Sequence, residues 1–196
     1  MDVLTVTGKG ENMRKVVAWL FTSLDGVVEA PNEWQFDVFD DIMLADLSSQ
    51  SDEEDAMLLG RVTYQEWAPF WPTSPDEPYA SHINKIPKYV ISTTLDNVEW
   101  GKWEKPTLIK GNLEKEITKL KKQSGKNIGV GGSPTLVRSL LQENLLDELK
   151  LMIHPVVVGK GKHLFTEENE LKKLELIDSK ITSTGVAILT YRPAKE

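Results

Sequence analysis

Apolar positions along the chain fall into short continuous runs that alternate with helically spaced sets. Val16 to Phe21 is a continuous apolar run holding two valines and two aromatics, the length of a strand covered on both faces. Ser23-Leu24-Asp25-Gly26 closes it with a turn signal. From Trp34 to Leu47, Trp34, Val38, Met43 and Leu47 recur at near-helical intervals with Asp37, Asp40, Asp41 and Asp46 between them, which predicts an amphipathic helix with wet acids. Ala56 to Leu59 predicts a second buried strand stopped by Gly60, and Thr63 to Trp67 a helix. Five of the ten prolines lie between Pro69 and Pro87, so this stretch is expected to be mostly loop, with one helical turn near Ser81 to Lys85.

Lys88 to Ser92 and Thr107 to Ile109 predict two further strands. Leu113, Ile117 and Leu120 give the inward face of a helix whose other side, Glu114 to Lys122, is charged and wet. Asn127 to Val130 returns as a strand, and Leu136, Val137, Leu140 and Leu141 form the next helical face. Strand alternating with helix implies parallel strands joined by right-handed crossovers. The end changes character: Glu148 to Val158 is rich in β-formers, and Leu174 to Ile181 with Val186 to Tyr191 reads as a hairpin around Thr184-Gly185. The expected fold class is α/β with a mixed sheet. No repeat, low-complexity tract or interdomain linker interrupts it, so residues 13–196 are expected to be one domain. Residues 1–12 read as a tail or alternative start, because Met13-Arg14-Lys15 opens a fresh apolar run.

Composition narrows the function. With 23 Lys plus Arg against 30 Asp plus Glu, the net charge of −7 repels a nucleic-acid backbone. No run approaches a membrane span. The absence of cysteine removes disulfides, thiolate nucleophiles and Cys-containing zinc sites, and suits the reducing cytoplasm. His82, His154 and His163 lack metal-ligand spacing and read as structural or surface residues, so no metal is expected.

Asn127 to Thr135 is a strand running into Gly131-Gly132 and then a helix with Pro134 in its first turn. It is either a phosphate seat, with backbone exposed by the missing Cβ atoms and a helix N-terminus behind it, or a tight turn without a ligand. It is no Rossmann fingerprint, since Pro134 stands where the last glycine is needed, and no Gly-Lys pair continues into Ser or Thr as a P-loop requires. A second strand-to-helix junction places Arg61 and Thr63 after Gly60. A third ends in Ser92-Thr93-Thr94, and Lys110 ends the strand that follows. Strand carboxyl ends in an open α/β sheet face one crevice, so these junctions can converge on one ligand. Asp25 is either a substrate or proton group or ordinary turn chemistry. Trp67, Phe70 and Trp71 either line a planar-substrate pocket or belong to the core.

Ser23 to Gly26, Leu59 to Tyr64, Val90 to Ser92, Gly129 to Pro134, and His154 to Phe165 together resemble the dihydrofolate reductase superfamily. The branch is the one similar to the C-terminal reductase domain of the bifunctional riboflavin biosynthesis deaminase-reductase. The resemblance spans about Arg14 to Pro193. It implies a three-layer, mainly parallel eight-stranded sheet, with a C-terminal antiparallel hairpin and helices on both faces. It also implies a homodimer acting on a small molecule with NADPH. Arg61 then looks like the 2′-phosphate cation, Ser92 and Thr93 like hydroxyl donors, and Lys110 like a second cation. Gly60, Thr63, Gly131, Gly132, Ser133 and Thr135 would hold the diphosphate. The nicotinamide would lie near Ala18 and Leu24 to Gly26, with Leu24, Asp25 and Trp34 at the substrate.

Asp25, Asp37 and Asp40 are the acids near the implied chemistry, although Phe39 stands by spacing where dihydrofolate reductases place theirs. Val27 stands where the riboflavin reductases often have a base, and the companion deaminase's cysteine motif is absent. The resemblance implies hydride transfer to a C=N or C=O carbon of a small heterocycle. Its alternatives are the riboflavin-pathway 5-amino-6-(5-phosphoribosylamino)uracil reductase and a catalytically degenerate nucleotide-binding or regulatory module.

Overall fold

The computed structural model describes residues 13–35, 38–167 and 170–194. The predicted tail and Asp37 lie outside the described residues. Eight strands, β1 (Val16–Ser23), β2 (Glu54–Gly60), β3 (Lys88–Ile91), β4 (Thr107–Ile109), β5 (Asn127–Val130), β6 (Glu148–His154), β7 (Leu174–Ile181) and β8 (Ala187–Pro193), form one sheet. Its order is β4-β3-β2-β5-β1-β6-β8-β7. The first six in that order are mutually parallel; β8 runs antiparallel to β6 and to β7. The expected mixed sheet with a C-terminal hairpin is therefore present.

Helices cover both faces, which is why β1 and β2 carry continuous apolar runs rather than alternating ones. Val16, Ala18 and Leu20 of β1 join Ala56 and Leu58 of β2 beneath α4 (Leu113–Lys121) and α5 (Pro134–Gln142). Trp19, Met57 and Leu59 point to the opposite face, where α2 (Arg61–Trp67) and α3 (Tyr79–Lys85) pack with the buried Trp100. A smaller cluster joins Met43 of α1 (Asp41–Glu53) to Met152, Val186 and Ile188, with Phe21 against both this cluster and its neighbour.

Three expectations need correction. The helix expected from Trp34 to Leu47 begins instead at Asp41 and runs to Glu53, while Trp34 follows a 3-10 turn at Pro31–Glu33. Asp40 starts the helix by accepting from the Met43 amide, the ordinary work of an N-cap aspartate. The Pro-rich stretch holds the full helix α3 rather than one turn, and the buried Lys88 ammonium stops it by donating to the carbonyls of Ile83, Asn84 and Ile86. Burial lowers the Lys88 pKa to about 8. Strand β6 ends at His154, since Pro155 offers no N–H to continue the ladder.

The fourth surprise is Asp46, expected on a wet face. Its side chain is 2% exposed and pairs with Lys150 of β6 at 2.9 Å and Lys180 of β7 at 2.6 Å, tying α1 to the sheet. Burial is the largest influence on this carboxyl and opposes ionisation; hydrogen bonds and charge from the two lysines outweigh it and hold the pKa below its ordinary value. A depressed pKa makes the contribution complete above the unfolded carboxylate range and removes it as pH falls through the folded value. Asp46→Asn is expected to cost about 3 kcal/mol at neutral pH, because it leaves the Lys150 charge buried and unpaired. Urea titrations at neutral and acidic pH check both points: the variant's stability should fall less on acidification than the parent's.

Candidate functional site

The parallel strands end along one edge of the sheet, so the junctions after β4, β3, β2 and β5 stand side by side in that order, and β1 runs on five residues past the end of β5. At about 4.8 Å per strand, the row from Lys110 to Gly131 spans roughly 14 Å. The β2 and β5 junctions are knotted together: the Gly60 N–H donates to Gly132 O at 2.8 Å and the Gly131 N–H to Leu58 O at 3.2 Å. A Cβ on Gly60 would meet Ser133 Oγ at 2.5 Å, and one on Gly132, whose φ is +119°, would meet Thr63 Oγ1 at 2.8 Å. Gly60, Thr63, Gly132 and Ser133 are thus in mutual contact, and glycine is what permits it.

Around this knot the cations are exposed and lightly held. Arg61 Nη1 donates to Gln65 Oε1 at 3.0 Å. Lys110 Nζ pairs at 2.8 Å with Asp96, whose side chain is 96% exposed. Ser92 Oγ accepts from the amides of Thr94 (3.2 Å) and Leu95 (3.1 Å), fixing the turn that displays the exposed Thr93. At α5 the N-cap Ser133 makes no side-chain cap bond, Pro134 has no N–H, and Thr135 and Leu136 present amides without an intrahelical acceptor. Exposed Thr135 accepts from Arg138 Nη2 at 3.3 Å through its hydroxyl.

Beyond β1 the structure gives Asp25 a definite task. Its carboxylate accepts from Ser23 Oγ at 2.6 Å and from the amides of Val158 (3.1 Å) and Gly159 (2.8 Å). These bonds, Ser23's foremost, hold its pKa down at about 2. Two loops are clasped by it, and the clasp extends through Leu24 N to Val156 O, Val28 N to Lys162 O and Leu164 N to Gly26 O. Gly161 is needed where they cross, since a Cβ there would stand 2.8 Å from Val27 Cγ1. Arg138 Nη1 ties the far end to α5 by donating to the carbonyls of His163 and Leu164. Leu24 is 68% exposed beside the crevice.

Other expected site residues are engaged in the protein's own contacts. Ala18 is wholly buried with its side chain in the core under α4 and α5; on β1 it pairs with Val130, the last residue of β5, which sets it level with the start of the Gly131 turn. Asp40 is engaged twice, capping α1 and accepting from the Ser183 amide and hydroxyl at 2.6 Å. Trp34 is buried, with Nε1 donating to Glu29 O at 2.9 Å.

On the α2–α3 face a chain of edge-to-face aromatic contacts crosses the sheet. It runs from Trp67, against Gly131, through Trp71, Tyr79, Trp19 and Phe21, with ring centroids 5.9, 4.9, 6.1 and 6.1 Å apart in turn. Phe21 then branches to exposed Phe39 and to His154, which meets Trp34 at 5.4 Å. Three consecutive members, Trp71, Tyr79 and Trp19, carry buried polar atoms without a partner among the described residues, and so does His154 at Nε2. Burial raises the Tyr79 pKa well above its ordinary value, with Glu54's charge adding to it. Glu54 meets His82 Nε2 at 2.9 Å; burial pushes the Glu54 carboxyl up, against the pull of that contact. Among the described residues no cluster of three or more His, Cys, Asp or Glu could hold a metal, and no helix is long and apolar enough to cross a membrane.

Residues 14–189 match the RibD C-terminal domain. The chain belongs to the RibD C-terminal domain family. It is 30% identical over 184 residues to the uncharacterised protein YyaP of Bacillus subtilis, covering 91% of this chain and 94% of that one. Among solved structures, a Shewanella protein assigned to riboflavin biosynthesis superposes with a TM-score of 0.75 at 24% identity, over 92% of this chain and 99% of the other. Dihydrofolate reductase from Enterococcus faecalis, solved with NADP(H), superposes with a TM-score of 0.59 at 13% identity, over 92% and 97%. These likenesses establish a dihydrofolate reductase-like fold of the RibD branch.

In this family member the sequence reading named the junctions that the structure lines up along the strand ends and missed most of the aromatic chain. Trp67, Phe70 and Trp71 were legible as a local cluster. Trp19 and Phe21 carried a usable signal, two bulky rings at a spacing of two in one strand and hence on one face. Tyr79 and His154 gave none. The clasp generates a further expectation: Asp25→Ala frees the loop around Val158 without unfolding the sheet. Hydrogen exchange at the Val158 and Gly159 amides should accelerate at neutral pH while β1 and β5 amides stay protected; unchanged exchange would remove Asp25 from the clasp.

Proposed function

We propose that the crevice along the strand ends binds NADPH, and that the protein is a reductase acting on a C=N or C=O carbon of a small heterocycle. The observation that carries this reading is the single row formed by Lys110, Ser92, Arg61 and the Gly131-Gly132 turn, four junctions remote in sequence. Its dimensions and donors fit the cofactor. Exposed Lys110 ends the row and exposed Arg61 stands two strands in from it, cations for a 2′-phosphate, and the free α5 amides at the other end face a diphosphate.

When bound, the cofactor supplies the hydride. The chain's own contribution is position: the knotted glycines fix the floor, and the Asp25 clasp fixes the rim. Asp25 and Asp40, both with depressed pKa values and both accepting several hydrogen bonds, hold backbone rather than release protons at neutral pH. Val27 is 1% exposed and bridges to His163, so no cation stands there for a ribose phosphate, which counts against the riboflavin-pathway substrate. A homodimer belongs to the same reading, and exposed Leu176, Ile177 and Ile181 on the edge strand β7 offer an apolar surface for it. A cytoplasmic location agrees with the absence of cysteine.

The test is differential. NADPH should raise the melting temperature more than NADH at equal concentration, since a ligand of the folded state alone stabilises it by mass action. Arg61→Ala should weaken NADPH by roughly ten- to a hundredfold, the worth of charge-assisted hydrogen bonds, and leave NADH unchanged. Equal effects of the two nucleotides on parent and variant would overturn the assignment. Binding without oxidation of NADPH against any carbonyl or imine heterocycle would mark a regulatory module instead.

A further inference from the structure

We infer that Arg138 is a positioning residue: through the Thr135 hydroxyl it links the start of α5 to the loop that Asp25 clasps, so that a diphosphate at α5 holds the rim closed. This deepens the cofactor reading and rests on it for the diphosphate; the link itself is made of hydrogen bonds already present in the free protein.

The argument begins with a cation in an unfavourable place. Arg138 is the fifth residue of α5, and long helical side chains point back over the preceding turn, toward the positive end of the helix dipole. No acid stands in that first turn to offset it. Its guanidinium instead makes three bonds to neutral oxygens: Nη1 donates to His163 O at 3.1 Å and Leu164 O at 3.0 Å, and Nη2 to Thr135 Oγ1 at 3.3 Å. Neutral partners leave the charge uncancelled beside the free α5 amides. A planar fork reaches both carbonyls and the hydroxyl together, which the point charge of a lysine does not.

Thr135 is the middle of the link. A hydroxyl has one proton to donate and two lone pairs, and Arg138 can only donate, so the exposed Thr135 keeps its O–H for another acceptor. With its own amide, which has no intrahelical acceptor, it turns two donors toward an anion at the helix start. A hydroxyl that donates to an anion becomes a stronger acceptor, so a bound diphosphate strengthens the long Arg138–Thr135 bond in turn. At the far end of the guanidinium, Leu164 returns its amide to Gly26 O at 3.2 Å and Lys162 O accepts from the Val28 amide at 2.9 Å. Gly26 adjoins Asp25, whose carboxylate closes the clasp on Val158 and Gly159. The start of α5 and the rim are therefore joined by three side chains or peptides in series: Thr135, Arg138 and Leu164.

Hydrogen exchange at the Val158 and Gly159 amides reads the rim in the full chain, as the ratio of rates without and with ligand. Three probes are used at saturation: NADPH, inorganic pyrophosphate, and adenosine 2′,5′-bisphosphate, which has phosphates but no diphosphate. The first two should slow exchange about tenfold, a usual size for coupling between sites, and the third should not. Thr135→Val keeps the side-chain shape and the Arg138–carbonyl bonds but removes the hydroxyl, so the slowing should vanish, and Thr135→Ser should restore it. Arg138→Lys keeps the charge without the fork and should lose the slowing as well. Slowing that survives Thr135→Val or Arg138→Lys, or that the bisphosphate also produces, overturns the proposal and leaves Arg138 a brace of the loop. NADPH that raises the melting temperature without slowing exchange sinks this inference alone. Pyrophosphate that slows exchange in a chain NADPH does not stabilise sinks the cofactor reading alone, and no effect of either ligand sinks both.

Discussion

Strand β5 carries no side chain at Gly129 or Gly131, two positions that share a face, and the α2–α3 side of the molecule is built into the space this leaves. The Glu54 carboxylate lies where a Gly129 Cβ would stand, and the Trp67 ring where a Gly131 Cβ would stand, 2.8 Å from Cη2. Trp19 on β1 and Met57 and Leu59 on β2 flank the bare strand. Seating Trp67 on β5 fixes α2 at its end, and with it the positions of Arg61 and Thr63 at its start. The same ring begins the contacts that lead through Trp71 and Tyr79 to Trp19. One backbone constraint therefore sets both the edge that carries the junctions and the aromatic face.

The glycines were legible as special, as a phosphate seat or as a tight turn, but the side chains they admit were not. Gly60 and Gly132 let the β2 and β5 junctions close on each other, admitting Ser133 and Thr63, while Gly129 and Gly131 admit Glu54 and Trp67 on the α2–α3 side. Sequence reports that a Cβ is missing, not which side of the strand it is missing from; that depends on register, which is set by β1 and β2. Strands and crossovers were readable because burial on both faces leaves unbroken apolar runs, as at Val16 to Phe21. The C-terminal hairpin was readable from its turn around Gly185, whose φ of +86° suits glycine.

What could not be read was where polar groups would be buried. α1 hides Asp46 and Gln50 together with Met43, so its inward face is not apolar and its periodicity pointed to the wrong start. Asp46 is buried because Lys150 and Lys180, more than a hundred positions away in the chain, arrive to pair with it. Asp25 looks like a catalytic acid or a turn residue in sequence and becomes a clasp through amides at Val158 and Gly159. In each case the deciding partner is distant in the chain, and no local pattern encodes it.

Charge then separates the two halves of the site. The acids of a chain with net charge −7 are not neutralised evenly. Asp46 with Lys150, and Glu54 with His82, are shielded pairs whose disruption strands a buried group, so they stay closed. Arg61 and Lys110 are held only by Gln65 and by an almost fully exposed Asp96, contacts that water and salt weaken until they are worth little. An anion arriving at either cation would displace such partners at small cost.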